Sequence, residues 1–164
     1  MAAIPGLMTM LEILIYTFLL SISPFGEARA GIPYAVLNDM PVFWAFVVGL
    51  IGNLLIFPLL AWLIEAFSKK LWPNRVYKKG VVKLGRRAKK GVGSEVQKYG
   101  FWGLMVFVMI PLPGTGAYMG TIAAYLLNIK RGRAFLAVSM GVIISCLIMA
   151  AGSYLGSMGL KTLR

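Results

Sequence analysis

Apolar residues along this chain fall into four long blocks, at 8–37, 42–67, 101–127 and 134–158, parted by short polar segments. Blocks 42–67 and 134–158 run unbroken, and each exceeds the ~20 residues a helix needs to cross hydrocarbon. The other two are interrupted from within. Ser23-Pro24-Phe25-Gly26-Glu27-Ala28-Arg29-Ala30-Gly31-Ile32-Pro33 breaks the first, and Pro111-Leu112-Pro113-Gly114-Thr115-Gly116 breaks the third. Proline has no N–H to donate and glycine is conformationally loose, so each cluster should end one helix and start another. The arms left over are short: 8–22 and 32–37 in the first block, and 101–110 before the second break. Ten helical residues rise about 15 Å, half a bilayer. Each broken block therefore predicts a helical hairpin.

Charge orients these blocks. Most of the seventeen basic residues lie between Lys69 and Lys98, where Glu95 is the one carboxylate, and Lys130, Arg131 and Arg133 fill the other polar connector. Dense Lys and Arg between apolar runs mark cytoplasmic loops. Block 101–127 then has both ends on the cytoplasmic side and must turn back at 111–116. Block 42–67 ends inside and so begins outside, at 38–41, and the first hairpin enters from the outer face. The expected fold is an all-α integral membrane protein forming one membrane domain, 1–164. It consists of two inverted repeats, 8–67 and 101–158, joined by a basic cytoplasmic linker, 68–98. In each repeat a re-entrant hairpin (8–37, 101–127) precedes a transmembrane helix (42–67, 134–158). Loosely similar Pro/Gly patterns at 24–27 and 112–115, and an Asn ending each hairpin (Asn38, Asn128), support the repeat. Four or six ordinary helices with proline kinks are the alternative.

Composition agrees with a multi-pass protein of the cell membrane. The chain is 59% hydrophobic and 13% charged, with mean hydropathy +0.80, more apolar surface than a soluble domain of this size keeps dry. The net charge of +12 would suit nucleic acid, but its confinement to loops and the lack of aromatic stacking residues among the basic ones argue against that partner. There is no histidine, and the five carboxylates are scattered. No zinc site, hydrolytic triad or cofactor is expected, and no enzyme. Ala28-Arg29-Ala30 imitates a signal cleavage site, but no Lys or Arg precedes Arg29 and Glu12 occupies the expected n-region, so no cleavage is expected.

Within the linker, Tyr77, Val81, Leu84, Ala88, Val92 and Val96 recur at helical spacing among lysines and arginines, a basic amphipathic pattern for the inner leaflet. Gly80, Gly85, Gly91 and Gly93 weaken it. Gly141-x-x-x-Ser145 and Gly152-x-x-x-Gly156 permit close helix packing and allow a homodimer. Asn53 reads as an interhelical amide or a group reaching the site, and the lone Cys146 as a packed thiol. Phe43, Trp44, Trp62 and Trp72 suit interfacial belts.

The candidate chemistry lies at the breaks. Glu27 and Arg29 are the only charges between Glu12 and Asp39, and intramembrane ionisable groups pair, face water or do work. Glu27 can take up and release a proton, while the planar guanidinium of Arg29 suits a phosphate or carboxylate. A structural ion pair in a surface turn is the plainer alternative. The second break is uncharged. Gly114 and Gly116 can expose backbone N–H groups, Thr115 adds a hydroxyl, and a helix starting there directs its positive end into the cavity.

These segments resemble a known family. Glu27-x-Arg29-x-x-Ile32-Pro33 is similar to the first motif of the small multi-drug export proteins. Ile110-Pro111-Leu112-Pro113-Gly114-Thr115-Gly116-Ala117-Tyr118, followed by Ala123-Ala124-Tyr125-Leu126-Leu127, is similar to their second. That family in turn resembles the DedA, or SNARE-associated-like, superfamily of inverted re-entrant hairpin proteins, whose second motif usually carries arginines that 111–118 lacks. The resemblance implies a flippase-type transporter moving polyprenyl-phosphate carrier lipids with proton or sodium coupling. It implies a substrate or coupling site at Gly26, Glu27, Arg29 and Pro33 with Pro111, Pro113, Gly114, Thr115, Gly116 and Tyr118. The expected partners are a lipid or amphiphilic substrate, a coupling ion and membrane lipids. Two rival functions stand beside it: a proton-coupled exporter of cationic lipophilic compounds, in which Glu27 binds cation and proton competitively, and a membrane scaffold without transport.

Overall fold

The computed structural model describes residues 9–71, 100–111 and 116–162. Among the described residues there are six helices and no strand: α1 (Met10–Ile22), α2 (Glu27–Leu37), α3 (Val42–Leu71), α4 (Phe101–Met109), α5 (Ala117–Leu126) and α6 (Arg131–Thr162). Two are long and apolar enough to cross a membrane, over Val42–Phe67 and Arg131–Gly159. Phe43, Trp44 and Trp62 stand more than half exposed on α3, as aromatic residues facing lipid and its interface would. The amphipathic pattern of the linker and Trp72 lie outside the described residues.

Local chemistry fixes the ends. α1 starts at a capping box: Glu12 N–H donates to Thr9 Oγ1 at 3.4 Å, and Thr9 N–H donates to a Glu12 carboxylate oxygen at 3.0 Å. It stops at Ser23, whose backbone is extended ahead of Pro24. The break is shorter than the proline and glycine content of 23–33 predicts. Helix resumes at Glu27, not at 32, and runs through Gly31 and Pro33. Pro33 forgoes one backbone hydrogen bond, but α2 buries Ala28, Gly31, Ile32, Ala35 and Val36, and that burial offsets the roughly 3 kcal/mol an interior proline costs.

The chain divides into two compact units whose boundaries cut both long helices. One comprises Met1–Asn53 and Cys146–Arg164, the other Leu54–Ser145. Each holds one hairpin and a length of each long helix. In the first unit Ser21 of α1 is the meeting point. A Cβ added at Gly31 would strike Ser21 Oγ and come within 2.8 Å of the Thr17 carbonyl. One at Gly49 would sit 2.7 Å from Ile32, and one at Gly52 3.0 Å from Ser21 Cβ and 3.4 Å from the Phe18 carbonyl. Helix backbones thus approach as only small residues permit. Gly31 is a packing residue of α2, not a helix breaker.

The second unit repeats this device with Val108 of α4 at its centre. A Cβ at Gly120 would strike Val108 Cγ2, and one at Gly141 would lie 2.7 Å from the Met105 carbonyl and 2.8 Å from Val108 Cβ. Phe57 and Phe135 pack edge to face at 5.5 Å. The two small-residue motifs of α6 therefore part company: Gly141 is packed, while Gly152 and Gly156 have nothing within 4 Å.

Both hairpins end alike. Asp39, at φ +59°, follows α2, and Met40 N–H donates back to the Ala35 carbonyl at 3.0 Å. Asn128, at φ +54°, follows α5, and Ile129 N–H donates to the Ala124 carbonyl at 3.0 Å. These are left-handed helix stops of the Schellman type, with short polar side chains that tolerate the conformation. The partner of Asn128 is Asp39, one residue beyond the Asn38 that sequence similarity pairs with it.

Candidate functional site

In the first unit, four polar side chains from three elements converge in apolar surroundings. Glu27 is the first residue of α2 and is only 7% exposed. Its φ is +52°, a left-handed conformation that costs a non-glycine residue on the order of 1 kcal/mol and concentrates at functional sites. The turn is held by the Glu27 N–H, which donates to the Ser23 carbonyl at 3.0 Å. A carboxylate at this helix end is also favoured by the dipole. Arg29, half-buried, interacts electrostatically with Glu27. Asn53 of α3 and Cys146 of α6 are buried side by side, and the charges of Glu27 and Arg29 act on the thiol.

Ser21 adds a fifth polar group to the same unit, fully buried over Gly31 and Gly49. Among the described residues, Ser21 Oγ and Asn53 Oδ1 are buried without a hydrogen-bond partner. Leaving such an oxygen unsatisfied costs roughly 1–3 kcal/mol, so native proteins keep few of them, and each calls for an explanation.

Of the remaining sequence-derived residues, Gly26 closes the turn before α2. A Cβ there would fall 2.9 Å from Ala30 Cβ and 3.1 Å from the Leu20 carbonyl. Pro33 is half-buried within α2, one turn past Arg29. In the second unit, Pro111 follows α4 half-buried, Gly116 is the buried N-cap of α5, and Tyr118 is half-buried in its first turn. Pro113, Gly114 and Thr115 lie outside the described residues. The structure thus joins Glu27 and Arg29 to Asn53, which the sequence left as an interhelical amide or a group reaching the site, and to Cys146, which it read as a packed thiol. Ser21 went unread, although Thr17-x-x-x-Ser21 places two hydroxyls one turn apart on an apolar helix. Thr17 donates to the Ile13 carbonyl at 2.6 Å. Ser21 makes no such bond.

The second unit holds a cavity of about 240 Å³ between α3, α5 and α6. Phe57, Ile64 and Ala134 supply apolar wall, and an ion pair borders it, with Arg131 Nη1 at 2.7 Å from Glu65 Oε1. Both charged side chains are substantially exposed.

Residues 27–148 of the chain match the model of the family described as "Putative small multi-drug export protein". The match begins at Glu27, the first residue after the first hairpin break, and spans the second break. No curated protein and no solved structure matches.

Proposed function

The chain belongs to the small multi-drug export protein family, and from that premise we propose that this membrane protein is an ion-coupled transporter of an amphiphile with an anionic head group, such as a polyprenyl phosphate. The observation carrying this reading is the cluster of buried Glu27, Asn53 and Cys146 with half-buried Arg29 in a largely apolar unit. Ionisable groups at such depth are expensive and generally functional. Arg29 is only half-buried and stays charged at any working pH, so its planar donors are the means of holding a phosphate. Glu27, more deeply buried, is the group that gains or loses a proton as the cycle proceeds. The neighbouring Asn53 and Ser21 oxygens supply acceptors for a hydroxyl or a bound cation.

The arrangement in the membrane is part of the same proposal. α1, α2, α4 and α5 contain 13, 11, 9 and 10 residues, rising about 20 Å at most against a ~30 Å hydrocarbon core. Arms of that length suit re-entrant hairpins. Basic residues on both sides of 101–127 suit a second hairpin opening to the cytoplasm and hence an inverted repeat with the kinship to DedA proteins described above. No catalytic group and no cofactor enters the scheme.

The test is reconstitution. Protein in liposomes should move a labelled polyprenyl phosphate between leaflets in a pH- or sodium-dependent way. If it instead clears a cationic dye and ignores the phosphate, the substrate is a lipophilic cation. If neither moves, the transport reading falls.

A further inference from the structure

The proposal above makes no use of the cavity of the second unit. Its position in the chain places it in depth. Glu65 stands just before the end of the apolar span Val42–Phe67, and Arg131 is the first residue of the span Arg131–Gly159. Ends of membrane spans lie at the level of lipid head groups, with hydrocarbon beginning one turn further in. The cavity matches that gradient: the charges of Glu65 and Arg131 mark one side, and Phe57, Ile64 and Ala134 form an apolar wall.

The charge pattern narrows the occupant. An exposed ion pair such as Glu65–Arg131 contributes at most about 1 kcal/mol, so a ligand can part it at little cost. A ligand of one sign would pair with one partner and strand the other. A zwitterion replaces the pair completely, with its phosphate on Arg131 and its cationic nitrogen on Glu65. A primary ammonium, unlike a trimethylammonium, keeps an N–H donor on the carboxylate in place of the one Arg131 gives at 2.7 Å. The volume of about 240 Å³ exceeds the ~150 Å³ that accommodates benzene and so admits the first part of an acyl chain.

We infer that this cavity binds a zwitterionic phospholipid bearing a primary ammonium, the phosphatidylethanolamine class, with Glu65 on the ammonium and Arg131 on the phosphate.

Purified full-length protein, equilibrated with equal amounts of phosphatidylethanolamine, phosphatidylcholine and phosphatidylglycerol of identical chains, should retain the first in preference when the bound lipid is measured by native mass spectrometry. The expected preference is about fivefold, the most that an exposed charge pair of about 1 kcal/mol supplies. Glu65→Gln should bring phosphatidylethanolamine down to the level of phosphatidylcholine. Glu65→Asp should keep most of the preference, and Arg131→Gln should weaken both zwitterions. Equal retention of all three lipids by the unmodified protein, preference for phosphatidylglycerol, or an unchanged preference in Glu65→Gln would overturn the assignment. Because the readout is retained lipid and not flux, failure here leaves the transport proposal standing, and failure of transport leaves this one standing.

Discussion

Asn53 on α3 and Cys146 on α6, far apart in the chain, lie next to each other beside Glu27 and Arg29. This contact ties both long helices to the break of the first hairpin, and it makes the amide and the thiol neighbours of the candidate site.

Removing the amide should therefore affect more than packing. Asn53→Leu keeps volume but leaves the thiol and the adjacent charges without their polar neighbour, so we expect it to lower transport in liposomes at least about tenfold. Cys146→Ser retains a hydrogen-bonding group and should stay near full activity. Thermal melts in detergent accompany the assay. Equal activity of Asn53→Leu and the unmodified protein would remove Asn53 from the site.

Glu27 and Arg29 should fail in different ways. Glu27→Gln preserves size and hydrogen bonding but cannot titrate, so flux should lose its pH dependence even where substrate still binds. Arg29→Lys keeps the charge and loses the planar fork, so the KM for an anionic head group should rise about tenfold with little change in kcat. Flux against pH and against substrate concentration separates the two. A purely structural pair predicts loss of folded protein in Glu27→Gln, which leaves the Arg29 charge uncompensated, and intact folding with unchanged KM in Arg29→Lys, which keeps the pair.

The glycines of α6 offer a contrast inside one helix. Gly141→Ala would press a methyl against the Met105 carbonyl and Val108, and overpacking of this kind destabilises by about 1–3 kcal/mol. Val108→Ala should rescue part of that loss. Gly152→Ala meets nothing within 4 Å and should be neutral or stabilising by up to about 1 kcal/mol. Melting temperatures of the three variants decide, and a Gly141→Ala protein as stable as the parent would contradict the close approach of α4 and α6.

Topology is open to labelling. In a Cys146→Ser background, single cysteines at Tyr99 and Asn128 should both react with an impermeant reagent from the cytoplasmic side only. Reaction from opposite sides would mean that 101–127 crosses the membrane, and the inverted repeat would be lost with it.

Several features of this protein were legible in its residues alone. Two unbroken apolar runs could only become long helices, because hydrocarbon leaves no other way to satisfy the backbone. Pro24 with Gly26, and Pro111 with Gly116, had to interrupt the runs that contain them. Glu27 and Arg29 were conspicuous as charges without a polar setting. All of this is local chemistry, read within a few turns of chain. What the tertiary structure alone decided depends on residues distant in sequence. Gly31 and Pro33 looked like breakers, yet α2 continues through them, because packing against Thr17 and Ser21 outweighs the missing hydrogen bond. Gly52 and Gly141 revealed their purpose only when their helices met α1 and α4. Asn53 and Cys146 joined the candidate site, and Glu65 found Arg131, through contacts that no periodicity encodes. A hydrophobic pattern determines which face of a helix is buried, but not which neighbour covers it. In a chain this uniformly apolar, close packing at small residues and a handful of buried polar contacts make that choice.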